Sequence, residues 1–126
     1  MKIRIYYEDT DAGGIVYHTN YIKYCERARS ELFFEQGEKP FEGDQSGFVV
    51  KNINANFIGM AALGDMIEVK TTLLQQRSAS LLLEQSIYKE ESKIFSMEIL
   101  LVFVREGRPK AIPKNLIKFF LTLKNL

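Results

Sequence analysis

The chemistry-bearing residues of this chain crowd into one stretch, Tyr6-Tyr7-Glu8-Asp9-Thr10-Asp11-Ala12-Gly13-Gly14-Ile15-Val16-Tyr17-His18-Thr19-Asn20-Tyr21. It holds three carboxylates, two glycines, the only histidine and four of the tyrosines, directly before a segment of helical spacing. A calcium loop opening at Asp9 would need an oxygen ligand at its fifth position and a bidentate Glu at its twelfth; Gly13 and Asn20 stand there instead. One His and one Cys are too few for a zinc site. Neither phosphate-loop pattern nor a GxSxG elbow is present.

Acyl transfer fits better. Gly13-Gly14 allow a sharp turn and close approach to a ligand. Unpaired N–H groups at the following helix start would stabilise a carbonyl oxygen gaining negative charge. Asp11, just upstream, could activate water or attack the carbonyl. Plainer readings compete: Asp11 as a turn-forming or capping carboxylate, and His18 as a helix-start residue. A Cys25/His18 thiol hydrolase is conceivable from their spacing of seven, but Cys25 reads better as a small core hydrophobe. Tyr6 and Tyr7 alternate on an expected strand, so one of them should be plain packing.

The elements that position these groups follow from periodicity. Ile3–Tyr7 reads as a strand and Glu8–Gly14 as a loop. From Thr19 to Gln36 the residues Tyr21, Tyr24, Cys25, Ala28 and Leu32 fall on one helical face, with Thr19 or Asn20 as N-cap and Gly37 as C-cap. Four period-two runs follow, at Phe48–Phe57, Met66–Leu73, Leu81–Tyr88 and Ile94–Val104; Asn52, Asn54 and Asn56 share one face of the first. Lys114–Leu126 is again helical in spacing. Short connections demand antiparallel pairing. The expected class is α+β: one long helix wrapped by a curved five-stranded antiparallel sheet, with a short C-terminal helix. Phe48–Phe57 is expected at an edge, which favours a dimer.

The chain has 126 residues, 46% hydrophobic and 26% charged, so one folded domain over residues 1–126 is expected. A net charge of +1 gives no support to nucleic-acid or whole-surface membrane binding. No apolar run approaches the ~20 residues of a membrane span, and no signal peptide or disulfide is expected; a cytoplasmic protein follows.

Arg4-Ile5 through Thr10-Asp11, then Gly14-Ile15-Val16-Tyr17-His18 and Tyr21, resemble the active-site signature of the 4-hydroxybenzoyl-CoA thioesterase-like hotdog family. Tyr7 to His18, continuing to Glu26-Arg27-Ala28-Arg29, is similar to the YbgC-type acyl-CoA thioesterases of the Tol–Pal cluster. Phe48-Val49-Val50, Gly64 to Val69, Arg77 to Ser80 and Arg108 to Pro113 agree with it. The resemblance implies a hotdog fold, a homodimer or homotetramer, and hydrolysis of acyl-CoA without a metal or redox cofactor. It implies Asp11 as catalytic carboxylate, as base or nucleophile, His18 as carbonyl-polarising N–H and assisting ring, and Tyr7 near them. Gly14, Val16, Tyr17, Arg77 and Ser80 are implied to bind substrate, Arg77 near the CoA phosphates. The loop Phe57–Ala61 departs from the family, with Met60 where many relatives carry proline. The alternatives are an acyl carrier protein as substrate carrier, and a non-catalytic acyl-binding or scaffold protein with an envelope-associated partner.

Overall fold

Alternating apolar and polar residues build four long strands, β2 (Ser46–Phe57), β3 (Met66–Gln76), β4 (Ser80–Lys89) and β5 (Ser92–Arg105), joined edge to edge with a short β1 (Lys2–Arg4). Between β1 and β2 runs the helix α1 (Thr19–Glu35), about 25 Å long at 1.5 Å per residue. This is a computed structural model, which describes residues 1–124. The spatial order is β1-β3-β4-β5-β2, antiparallel throughout, with a two-residue strand β6 (Arg108–Pro109) beside β5. A short helix α2 (Lys114–Leu121) follows; the last two residues of the expected terminal helix lie outside the described ones.

Register sorts the side chains. Ile67, Val69, Leu81, Leu83, Ile87, Met97 and Ile99 are buried and form one core with Tyr21, Tyr24, Cys25 and Ala28 of α1. Asn52, Asn54 and Asn56 oppose Leu100, Glu98 and Ser96 and share the other face, as expected. Bulges at Lys51 in β2 and Leu74 in β3 sharpen the curl around α1. Gly37 takes φ +73° and closes the helix through its N–H to the Phe34 carbonyl.

Several expectations are corrected. The strand read over Ile3–Tyr7 stops at Arg4, and Tyr7–Asp9 forms one 3-10 turn, because the Asp9 carboxylate accepts the Tyr6 N–H at 2.9 Å. Tyr6 and Tyr7 are both exposed, so neither is packing. Neither Thr19 nor Asn20 caps α1: His18 holds the cap position, and the Asn20 amide reaches Asp9 instead. Phe33, not Leu32, is the buried residue near the helix end, because Phe120 of α2 and Phe48 of β2 pack on it at 5.5 and 5.7 Å. Nor does the short β2–β3 connection make those strands neighbours. Residues 58–65 pass from one edge of the sheet to the other, crossing the start of α1.

Polar anchors set the depth of the helix. Gln85 is fully buried on β4; its amide donates to the Cys25 carbonyl at 2.9 Å and the Thr71 hydroxyl at 3.1 Å, and its oxygen accepts from Arg29 at 2.8 Å. Burial lowers the Arg29 pKa from its ordinary value. Replacing Gln85 with Leu strands that guanidinium and is expected to cost about 2–3 kcal/mol in denaturant unfolding; an unchanged midpoint would show that the anchor is not needed.

Candidate active site

The link across the start of α1 builds the site. The Val16 N–H donates to the Ala61 carbonyl at 2.9 Å, Ile15 bridges Ala62, and the Ala61 N–H donates to the Tyr21 hydroxyl oxygen at 3.0 Å. Together they frame an apolar hollow of about 280 Å³ lined by Ile15, Val16, His18, Tyr21 and residues 57–60. Tyr21 stacks on Phe95 at 5.5 Å, and Phe57 meets Phe95 edge-on at 5.2 Å, so the floor is aromatic. The His18 ring stands at its mouth, 5.9 Å from Phe57 and 4.7 Å from Tyr17 between ring centres.

His18 is helical in its own backbone, at φ −55° and ψ −34°. Among the described residues, no acceptor takes the His18 or Thr19 N–H; the neighbouring Tyr17 and Asn20 N–H groups are taken by the Asp9 and Tyr17 carbonyls. The two open donors carry the positive end of the helix dipole, where a developing oxyanion is stabilised.

Asp11 sits one tight turn upstream. Its N–H donates to the Ile15 carbonyl at 2.8 Å, and its Oδ1 accepts the Gly13 N–H at 2.8 Å. Gly14 completes the turn at φ +81°, a conformation an L side chain would strain. The carboxylate is exposed and lies outside the hollow's lining, as does Tyr7, which is 82% exposed. So the structure brings Val16 and His18 together at the hollow, places Tyr17 against the His18 ring but outside the lining, sets Asp11 and Gly14 in the turn before it, and leaves Tyr7 on the surface. Cys25 is fully buried and its thiol is pushed up to about 12 by that burial, so it offers no thiolate.

Arg77 and Ser80 lie elsewhere. Arg77 follows the end of β3, outside any strand, its N–H bonded to the Ser80 carbonyl at 2.9 Å. Both line a groove of about 390 Å³ on the outer sheet face with Lys51, Asn52 and Gln75. That groove sits at the Val102 end of β5, opposite the Phe95 end that holds the hollow. Arg108 and Lys110, which the sequence reading included in the resemblance without a role, lie near this groove but do not line it. The Ile112 N–H bonds the Ser78 carbonyl and the Lys110 N–H bonds the Phe103 carbonyl, so the segment carrying Arg108 and Lys110 runs beside the Arg77 turn. None of these three cations has an acidic partner among the described ion pairs. Their signal was local: Arg105 to Lys118 holds five cations against one acid.

The comparisons agree with the architecture. A thioesterase superfamily model matches residues 13–96, more than half of the chain. The acyl-CoA thioesterase YbgC of Helicobacter pylori is 43% identical over 125 residues, 90% of this chain and 93% of that protein. The acyl-CoA thioester hydrolase YbgC of Escherichia coli O157:H7 is 35% identical, over 94% of this chain and 92% of that one. The crystal structure of a probable thioesterase from Bartonella henselae superposes with a TM-score of 0.82 at 30% identity, over 90% and 97% of the two chains. The chain belongs to the thioesterase superfamily, in the hotdog fold, and within it to the YbgC-type acyl-CoA thioesterases. Among the described residues no helix is long and apolar enough to cross a membrane.

The crossing link has its own electrostatic latch. Asp65 Oδ2 accepts the Ala62 N–H at 2.8 Å and pairs with Lys89 at 2.9 Å. The amide first, and the ammonium second, hold its carboxyl below the usual carboxylate range. Since the folded-state value is depressed, the stabilisation is present above the unfolded value of roughly 4 and is lost as pH falls through the folded one. Asp65→Asn should therefore cost about 1 kcal/mol at pH 7. Thermal unfolding across pH checks this: the gap to the parent should close below about pH 4, and a gap that persists in acid would refute the latch.

Proposed function

We propose that residues 1–126 act as a single hotdog domain that hydrolyses acyl-CoA with Asp11 as general base and the helix start as oxyanion site. The observation that carries this is the pair of unaccepted N–H groups on His18 and Thr19 at the mouth of an apolar hollow, with a carboxylate one turn upstream. The acyl chain occupies the hollow, and its thioester oxygen points to the His18 N–H. Water adds to the carbonyl carbon while its proton passes to Asp11. The C–S bond then breaks, and the proton goes to the departing CoA sulfur. An exposed Asp11 is open to water, and its Oδ1 bond to Gly13 leaves Oδ2 for the proton. The His18 ring walls the hollow and orients the substrate, with Val16, Tyr17 and Gly14 shaping its rim. Tyr7 is assigned to the same site from the edge of the preceding turn. The setting proposed is the cytoplasm.

The groove at Arg77 and Ser80 joins this site through a second copy. Within one chain the two ends of the sheet are seven residues of β5 apart, about 23 Å. Strand β2 is an open edge whose inner-face residues Val50, Ile53 and Phe57 are 49, 36 and 51% exposed. Pairing β2 with a second β2 about a two-fold axis covers that edge. A two-fold near its middle sets the Val49 end of one copy beside the Phe57 end of the other. Ser80 of the copy that contributes Val49 then lies three strand spacings from the Phe57 of its partner, about 14 Å. The CoA phosphates would meet Arg77, Ser80, Arg108 and Lys110 of one copy while the thioester sits at His18 of the other. The same cations suit the phosphopantetheine arm of an acidic acyl carrier protein, the second reading; turnover of acyl carrier protein above acyl-CoA would favour it.

Asp11→Asn should keep the fold and lose about 10²–10⁴-fold in kcat on acyl-CoAs of graded length; near-parent turnover in the folded variant would remove Asp11 as base.

Arg77→Ala should raise KM for acyl-CoA, leave kcat, and have no effect on an acyl-pantetheine thioester, because a distant phosphate contact binds ground and transition states alike. Mixed dimers of Arg77→Ala with Asp11→Asn test the sharing. If Arg77 acts across the dimer, one site is intact and parent KM returns at half the turnover. If it acts within its own chain, no intact site exists and KM stays high.

A further inference from the structure

Asp9 is the only acidic side chain among the buried described residues, at 7% exposure. No cation pairs with it among the described ion pairs. Its position in the chain explains what it does. Oδ2 accepts the Tyr6 N–H at 2.9 Å, and Oδ1 accepts from the Asn20 amide at 3.4 Å. Its carbonyl accepts the Tyr17 N–H at 3.0 Å and the same Asn20 amide at 3.4 Å. The Tyr24 hydroxyl, buried and without a hydrogen-bond partner among the described residues, has its pKa raised by burial first and by the neighbouring Asp9 second. Asp9 thus holds both ends of the loop that carries Asp11, at residues 9 and 17, and ties it to the first turn of α1. The loop is closed inside that tie by the Thr10–Val16 bridge.

We propose that Asp9 is a positioning residue for thioester hydrolysis, fixing the Asp11 carboxylate against the open His18 N–H by clamping the loop to the helix start. The proposal rests on the roles given above to Asp11 and His18. Its chemistry is specific. Asp9 receives one donor on each oxygen, which a carboxylate can do and an amide cannot. In Asp9→Asn one of the two donors must face an NH₂ group, although the shape is unchanged. Exchanging the pair, Asp9→Asn with Asn20→Asp, turns the side-chain bond round: the amide introduced at position 9 donates to the carboxylate introduced at position 20, and its oxygen still accepts the Tyr6 N–H; only the long bond from position 20 to the Asp9 carbonyl is given up. The carboxylate then stands in the first turn of α1, where the helix dipole favours it.

The experiment measures kcat, KM and thermal midpoint on acyl-CoA for full-length Asp9→Asn, Asp11→Asn, their double variant, and the exchanged pair. Asp9→Asn is expected to lower kcat about 10²-fold, the scale of a 1 Å misplacement, with KM little changed. The exchanged pair should recover most of that loss. In the Asp11→Asn background, Asp9→Asn should add almost nothing, because its effect passes through Asp11. An exchanged pair that folds at the parent midpoint but stays as slow as Asp9→Asn would overturn the proposal. So would a full, multiplicative loss in the double variant. If Asp9→Asn does not fold, Asn20→Ala severs the helix tie alone; parent kcat in that variant counts against the proposal, and a fall of about tenfold at unchanged KM supports it. The two readings fail differently. An inactive Asp11→Asn beside a fully active Asp9→Asn removes only the positioning role, whereas a fully active Asp11→Asn removes the base and this proposal with it.

Discussion

The start of an α-helix leaves its first backbone N–H groups without partners inside the helix, and this sheet is curled so that no strand covers them. Strand β2 lies at one edge and β3 beside the short β1 at the other, and the chain between them passes the end of α1. In passing, it could have capped the helix; instead its own carbonyls and amides are used on Val16 and Tyr21, one turn to either side. Among the described residues the His18 and Thr19 donors stay open, and His18 lines the apolar hollow. In the proposed mechanism, a polar deficit that would be a fault in a buried helix serves as a preformed place for negative charge.

Holding that end still takes polar contacts as well as packing. Hydrophobic burial alone would let α1 slide or turn, since Leu, Ile and Met surfaces repack at little cost. Gln85 ties the middle of the helix to β4, and Asn20 ties its first turn to Asp9. Both contacts are local in space and distant in sequence, separated by 60 and 11 residues. They set the helix by rotation and depth, and the hollow's rim inherits that setting.

Much of this was legible in the residue pattern. Tyr21, Tyr24, Cys25 and Ala28 mark the buried helix face, and the alternation in β3 to β5 fixes which side chains point inward. The Gly13-Gly14 turn and His18 at the helix start also read directly, because each depends on neighbours in sequence. What failed depended on particular side-chain contacts that periodicity does not register, near in the chain or far along it. Nothing in Ile3–Tyr7 shows that Asp9 will bend it out of the strand, nor that Tyr6 and Tyr7 will face water. Leu32 and Phe33 are equivalent until α2 arrives to cover one of them. Sheet order could not be read from short connections, since residues 58–65 reach the far edge by crossing a helix end.

The distance between the two ends of the sheet carries the last step. Among the described residues, an aromatic hollow with open amides lies at one end, and a groove flanked by cations without an acidic partner lies at the other. The first kind of site lowers a barrier, because its donors gain most when charge develops on the oxygen. The second holds a fixed charge equally well before and after reaction, so it raises occupancy without touching the barrier. A single chain holds these about 23 Å apart on different faces. In the proposed two-fold pairing of β2, each copy lends its cations to the other's hollow. The edge strand then has a reason to stay open and apolar on its inner face: covering it within one chain would stabilise the fold and leave the two halves of the site apart.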